Sequence, residues 1–260
     1  MPKIAITGKG GVGKTTLAGL LAHIYASQGQ KVLAIDADPV ANLAWALGFP
    51  PQVAERITPI AEMEELIFER TGAQPGTLGG YFKMNPRVDD IPDRFSAAHR
   101  GVRLLVMGAV KRGGGGCICP ESVLLKNLVQ HLLLYRDEVV IMDMEAGVEH
   151  LGRATAQAVD ALIAVVEPGR RSIYTAQTIV RLAGDIGLER VYAVGNKVRD
   201  QSDRDFIAAH LPPDLPLLGF LSLSPLAIEA DLKGVPVFDL DPQLVAEAQA
   251  IADCLHGPSA

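Results

Sequence analysis

The chain has 260 residues and a formal net charge of −6, too acidic for a nucleic-acid footprint spread along its length. Hydrophobic residues make up 48% and aromatic ones only 5%, a balance that suits buried parallel strands and packed helices, and the longest apolar runs, such as residues 161–166, are far too short to span a bilayer. Three cysteines, two of them one residue apart, do not make a disulfide framework, so a soluble chain in a reducing, cytoplasmic setting is predicted. The chain opens directly on a strand-like run, with no secretory leader pattern.

In chain order, residues 3–7 read as a strand, 15–27 as a helix and 32–36 as a strand. Residues 50–100 carry scattered Pro and Gly, a short helical piece at 61–70 and no clear strand, and read as an irregular insertion packed on one domain. Strand 103–107, helix 121–135, strand 139–142 and strand 161–166 follow. Then come helix 173–186, strand 191–194, helix 203–210, a weaker strand at 217–221, and helices 225–233 and 242–255. Short apolar strands alternating with helices predict an α/β chain with a doubly wound, mostly parallel sheet flanked by helices. Residues 1–260 are expected to form one domain.

Residues 8–15, directly after the first strand, read Gly-Lys-Gly-Gly-Val-Gly-Lys-Thr, the phosphate loop G-x-x-x-x-G-K-[ST]. Gly8, Gly10, Gly11 and Gly13 let backbone N–H groups, with those of Lys9 and Val12, converge on phosphate oxygens. Lys14 can reach the β/γ-phosphates, the Thr15 hydroxyl can ligate Mg²⁺, and Thr16 follows at the positive end of the helix. The second strand runs into Asp36-Ala-Asp38, which places carboxylates beside the loop to act on Mg²⁺ or water. Asp36 reads equally as a strand-end cap, and Asp38 reads as functional. Val140-Ile-Met-Asp143 has the form of the carboxylate that steadies Mg²⁺ from the opposite side. Asn196-Lys197 after a later strand looks like a base-binding pair. Guanine needs an aspartate at the fourth position, where Arg199 stands, with Asp200 one residue out of register. ATP is therefore favoured over GTP.

Lys111-Arg-Gly-Gly-Gly-Gly-Cys117-Ile-Cys119-Pro lies between a strand and a helix. Thiols at i and i+2 of an extended backbone face opposite ways, but the glycines and Pro120 permit a bend that brings both sulfurs to one metal. Soft divalent metals commonly take four ligands, so two Cys-x-Cys pairs in a symmetric dimer would complete a set. A partly buried or redox-labile thiol pair is the alternative. Cys254 reads as a small core hydrophobe. His150 reads as a solvated histidine at a helix start, though its place beside Gly147 would also suit a ligand.

The loop with its extra lysine, Lys9, resembles the deviant phosphate loop of the nitrogenase iron protein, MinD and ParA group. That resemblance implies a dimer that sandwiches two nucleotides, with Lys9 reaching the partner's. It also implies that Asp38 contacts the metal shell and the attacking water, and that Met144-Glu-Ala-Gly147 is a switch in which Gly147 could offer its N–H to the γ-phosphate. Asn42 stands where the nitrogenase iron protein has an aspartate, and Glu145 where several relatives have proline. Taken over nearly its whole length, the chain resembles the CooC-type nickel-insertion ATPases that mature carbon monoxide dehydrogenase. The likeness rests on Gly8–Thr16, Asp36-Ala-Asp-Pro, Ile57-Thr-Pro-Ile with the Met63 region, the Gly-rich Cys-x-Cys, and Met142-Asp-Met with Ala146-Gly-Val-Glu-His150. It extends through Ile163-Ala-Val-Val-Glu-Pro168 and Asn196-Lys-Val-Arg. The resemblance implies a slow, Mg²⁺-dependent ATPase, a homodimer, Ni²⁺ (chemically also Zn²⁺) at Cys117 and Cys119, and carbon monoxide dehydrogenase as client. An iron–sulfur carrier or reductase ATPase is one competing reading. A MinD/ParA-type positioning ATPase on membrane or DNA is another, but residues 242–249 lack the basic amphipathic face a membrane needs.

Overall fold

A computed structural model describes residues 1–76, 81–109, 119–148 and 150–256. The elements follow the chain as β1 (Lys3–Gly8), α1 (Lys14–Ser27), β2 (Val32–Ala37), α2 (Leu43–Ala46), α3 (Pro51–Ala54), α4 (Glu64–Thr71) and α5 (Ile91–Phe95). Then come β3 (Ala97–His99), β4 (Val102–Val106), α6 (Pro120–Tyr135), β5 (Val139–Met144), α7 (Arg153–Ala156), β6 (Ala161–Val166) and α8 (Arg170–Asp185). The chain closes with β7 (Val191–Val198), α9 (Gln201–His210), β8 (Leu217–Ser222), α10 (Pro225–Lys233) and α11 (Pro242–His256).

The strands form one sheet in the order β3-β4-β2-β5-β1-β6-β7-β8, parallel throughout except where β3 runs against β4. Successive residues of β1 face opposite sides, and both sides are covered: Ile4 and Ile6 belong to the core that includes α1, and Ala5 to the core that includes α8. This explains why the inner strands are apolar without alternation. The predicted doubly wound sheet is present.

Three sequence expectations change. Residues 50–100 do contain a strand, β3, only three residues long and on the sheet edge. Such a length leaves no periodicity to read. The insertion is otherwise short helices, with α4 packed on α6. Asn196 and Lys197 lie inside β7 rather than after it, at a register shift against β8, with Lys197 in the left-handed region at φ 57°. Cys254 is exposed on α11, not a core residue. No helix among the described residues is long and apolar enough to cross a membrane.

Candidate functional site

β1 sits at the centre of the sheet, and its chain turns away to α1 while β6 lies on its other flank. In open α/β sheets the crevice at the C-terminal strand ends, where the strand order reverses, receives the ligand. Gly8, the last residue of β1, has φ 150°, and a Cβ there would fall 2.5 Å from the Val165 carbonyl oxygen. Gly13 has φ 95°, and a Cβ there would fall 2.1 Å from Asn196 Nδ2. Both positions thus require glycine. Lys14 and Thr15 begin α1, which has no side-chain cap and no acidic residue in its first turn. Its N–H groups and dipole are left for an anion, and the loop is shaped to cradle phosphate.

Asp36 and Asp143 stand opposite each other in register at the ends of β2 and β5. The Thr15 hydroxyl donates to Asp143 Oδ2 at 2.6 Å, while Asp143 Oδ1 is buried with no hydrogen-bond partner among the described residues. Burial pushes Asp143 up to about 7, against the Thr15 hydrogen bond, with Asp36 adding to the rise and Lys14 opposing it. Burial likewise pushes Asp36 up to about 6, against the N–H bonds it accepts. A buried, orphaned carboxylate oxygen beside a threonine hydroxyl is a donor set for a hard divalent cation, and the residues fit Mg²⁺.

Asp36 accepts the N–H of Asp38 at 3.2 Å and of Leu43 at 2.8 Å, so it closes the loop that carries Asp38. Its strand-end role is therefore the one seen. Half-buried Asp38 accepts the Val40 N–H at 2.9 Å, and exposed Asn42 donates to the Val40 carbonyl at 2.9 Å. Across the loop, the Thr7 hydroxyl donates to the Glu145 carbonyl at 2.6 Å and accepts the Gly147 N–H at 3.0 Å. The Gly147 N–H expected to meet a phosphate is thus held by Thr7.

Asn196 is buried and braces the phosphate loop. Its Nδ2 donates to the Val12 carbonyl at 2.7 Å, and its Oδ1 accepts the Lys197 N–H at 2.8 Å. Lys197 Nζ donates to the Gly11 carbonyl at 2.5 Å. Lys9 Nζ donates to Glu167 Oε1 at 2.9 Å. Asp200 caps α9, and Arg199 forks onto Asp203 at 2.8 Å through both Nε and Nη2. Both carboxylates are thus engaged at the start of α9. A cavity of about 550 Å³ opens beside Thr15 and Thr16, walled by Trp45 and by Ala227, Ala230 and Val235 near α10. Sequence reading missed Thr7 and Glu167. Glu167 was findable: it follows an apolar strand at the same sheet edge as Asp36 and Asp143. Thr7 carried no signal beyond its place before Gly8.

Cys117 lies outside the described residues. Cys119 is the N-cap of α6 and only 1% exposed, and His150 is half-buried. No cluster of three His, Cys, Asp or Glu suited to a metal occurs among the described residues.

The CobQ/CobB/MinD/ParA nucleotide binding domain family matches residues 3–237. The chain is 46% identical to the carbon monoxide dehydrogenase accessory protein CooC of Rhodospirillum rubrum, over 97% of this chain and 95% of that protein. It is 44% identical to an uncharacterized ATP-binding protein of Methanocaldococcus jannaschii, over 96% and 95% of the two chains. Among solved structures, septum site-determining protein MinD of Pyrococcus horikoshii, complexed with Mg-ADP, shares the fold with TM-score 0.63 at 20% identity, covering 99% of this chain and 97% of that one. With the phosphate loop, the two facing carboxylates and this likeness over its whole length, the chain belongs to the CobQ/CobB/MinD/ParA nucleotide-binding family and is a P-loop ATPase of the CooC type.

Proposed function

We propose that this ATPase is a metallochaperone that binds nickel through Cys117 and Cys119 of two paired copies and inserts it into carbon monoxide dehydrogenase. The observation that carries the reading is the 46% identity to a carbon monoxide dehydrogenase accessory protein over nearly the whole chain, together with a Cys-x-Cys pair in the sequence whose second cysteine is the N-cap of α6. β4, the strand before it in the chain, runs parallel to β2 and so ends on the same side of the sheet as the phosphate loop.

In the ATPase step, the loop from Gly8 to Thr16 holds the phosphates and Lys14 lies against the β/γ oxygens. Thr15 and Asp143 would hold Mg²⁺, which when bound would offset the charge of those oxygens. Asp38 orients the attacking water, and Gly147 moves its N–H from Thr7 to the γ-phosphate. Lys9 acts on the nucleotide of the partner copy. Asn196 and Lys197 support the loop and border the adenosine. For the cargo, Cys119 has to turn outward from its buried place, because a thiol 1% exposed cannot be shared between two chains. Nucleotide-driven pairing supplies the occasion for that movement, and the two binding events are then linked reciprocally.

The test is nickel stoichiometry and solution mass, measured on apo protein, with ADP and with a non-hydrolysable ATP analogue. One nickel per two chains, lost when Cys117 and Cys119 are both replaced by serine, is expected. One tight nickel per monomer, or unchanged nickel in the double variant, rejects the shared site. The absorption bands of an iron–sulfur cluster in anaerobically purified protein would reassign the cargo.

A further inference from the structure

Glu167 is the first residue past β6, whose Val165 pairs with Gly8 of β1, so it stands at the mouth of the phosphate loop. Its backbone is fixed: its N–H donates to the Ser172 hydroxyl of α8 at 3.0 Å. Its carboxylate faces two cations, Lys9 of the phosphate loop and Lys197 of β7. Oε1 accepts from Lys9 Nζ at 2.9 Å, and Oε2 lies 3.7 Å from Lys197 Nζ, which itself donates to the Gly11 carbonyl. The side chains of Lys9 and Glu167 are 38% and 25% exposed, so the pair is neither sequestered nor fully screened. An acid is a poor choice for this position on phosphate-binding grounds, since it opposes the anion that the rest of the loop attracts. Its present use is to occupy Lys9.

We propose that Glu167 is a positioning residue that parks Lys9 within its own subunit, so that pairing of two nucleotide-bound copies must first break the Lys9–Glu167 bond. This rests on the reading above that Lys9 works across a dimer. Lys9 then has two alternative anions, the Glu167 carboxylate at home and a phosphate of the partner's nucleotide. The equilibrium between them moves only by the difference in its interactions with the two. Anionic competition of this kind makes pairing contingent on nucleotide, because without phosphate across the interface Lys9 gains nothing by leaving Glu167.

The magnitude follows from exposure. A partly exposed ion pair of this sort shifts an equilibrium by about two- to five-fold. Two such pairs open per dimer, so removing them strengthens pairing by about four- to twenty-five-fold. The experiment is light scattering with Mg²⁺ and a non-hydrolysable ATP analogue on four proteins: wild type, Glu167→Gln, Lys9→Ala, and the double variant. Glu167→Gln should pair four- to twenty-five-fold more tightly than wild type, the gain should shrink at high salt, and it should vanish in the Lys9→Ala background. Should Glu167→Gln fail to fold, Glu167→Asp, which withdraws the carboxylate by one methylene, should strengthen pairing in the same direction. Pairing lost in Lys9→Ala but unmoved in Glu167→Gln overturns the latch alone. A gain that persists without Lys9 also overturns it, because a general charge effect would then suffice. A wild-type chain that stays monomeric with the analogue overturns the dimer reading and the latch together.

Discussion

Replacing Asn196 by alanine separates two roles that its position allows. As a brace, Asn196 ties the Val12 carbonyl to β7 at 2.7 Å and keeps Gly13 closely packed beneath it. Val12 and Asn196 are both buried, so water cannot readily take over the freed carbonyl. A hydrogen bond contributes about 1 kcal/mol net, whereas a buried group left unpaired costs about 1–3 kcal/mol. Taking about 2 kcal/mol for the Val12 carbonyl, affinity for any ligand that needs the loop in place should fall about thirty-fold. Titration calorimetry with Mg²⁺-ATP and with Mg²⁺-tripolyphosphate, which has no base, distinguishes the roles. A brace predicts an equal loss for both ligands, whereas a base-reading asparagine predicts a loss for ATP alone. Asn196→Asp, which sets a carboxylate oxygen against the Val12 carbonyl, should do at least as much harm. Parent-level tripolyphosphate binding by Asn196→Ala would refute the brace.

Gly8→Ala should be more damaging than an ordinary glycine substitution, because its Cβ meets the backbone oxygen of Val165 at 2.5 Å, not a flexible side chain. A loss of about 1–3 kcal/mol of stability in denaturant melts is expected, and a melt equal to wild type would contradict the close approach. Trp45 is the chain's only tryptophan and walls the cavity beside Thr15 and Thr16. Its fluorescence should change on adding Mg²⁺-ATP, and an unchanged spectrum at saturation would place the nucleoside elsewhere. Acid stability should depend on Asp90, which hydrogen bonds from Arg70 and then Arg94 hold down at about 2 despite partial burial. A depressed carboxyl contributes stability above its ordinary range near about 4, and that contribution disappears as pH falls through about 2. Asp90→Asn should therefore be less stable than wild type at pH 7 and lose less on going to pH 2.5. Parallel melting curves would disprove the pairing.

The fold was legible because parallel strands announce themselves as short apolar runs: residues 161–166 were read with their observed bounds, and helix 225–233 likewise. What escaped was the edge strand Ala97–His99, too short for any period. In the site, residues identified by local pattern landed where expected: Lys14 and Thr15 at the helix start, Asp143 at a strand end beside Thr15. Residues whose use depends on what the fold brings near them did not disclose it. Asn196 looked like a base reader and is seen gripping Val12, 184 positions away. Thr7 looked like a strand residue and holds the turn at Gly147, 140 positions away. Cys254 looked apolar from its helix but sits on the helix's exposed side, since cysteine is small enough to give the pattern no direction.

The charges at the strand ends suggest why nucleotide and metal should enter together. Asp36, Asp38, Asp143 and Glu167 share this edge with Lys9, Lys14 and Lys197, and Lys9 and Lys197 both lean toward Glu167. Lys14 lowers the cost of charging Asp143, yet burial still pushes that carboxyl up, as it does Asp36. A polyphosphate adds negative charge to a crevice whose two buried acids are already costly to ionise. The α1 N-terminus and Lys14 would meet part of that charge, and a divalent cation at the orphaned Asp143 oxygen, with Thr15 beside it, would meet the rest. Cation and triphosphate each relieve the repulsion that the other would face alone. Each should therefore raise the other's affinity by the same factor, which is the reciprocity that linked binding requires. Lys9 stands outside this centre, bound to Glu167, and on the dimer reading proposed above its charge would be available to an anion that a second copy brings.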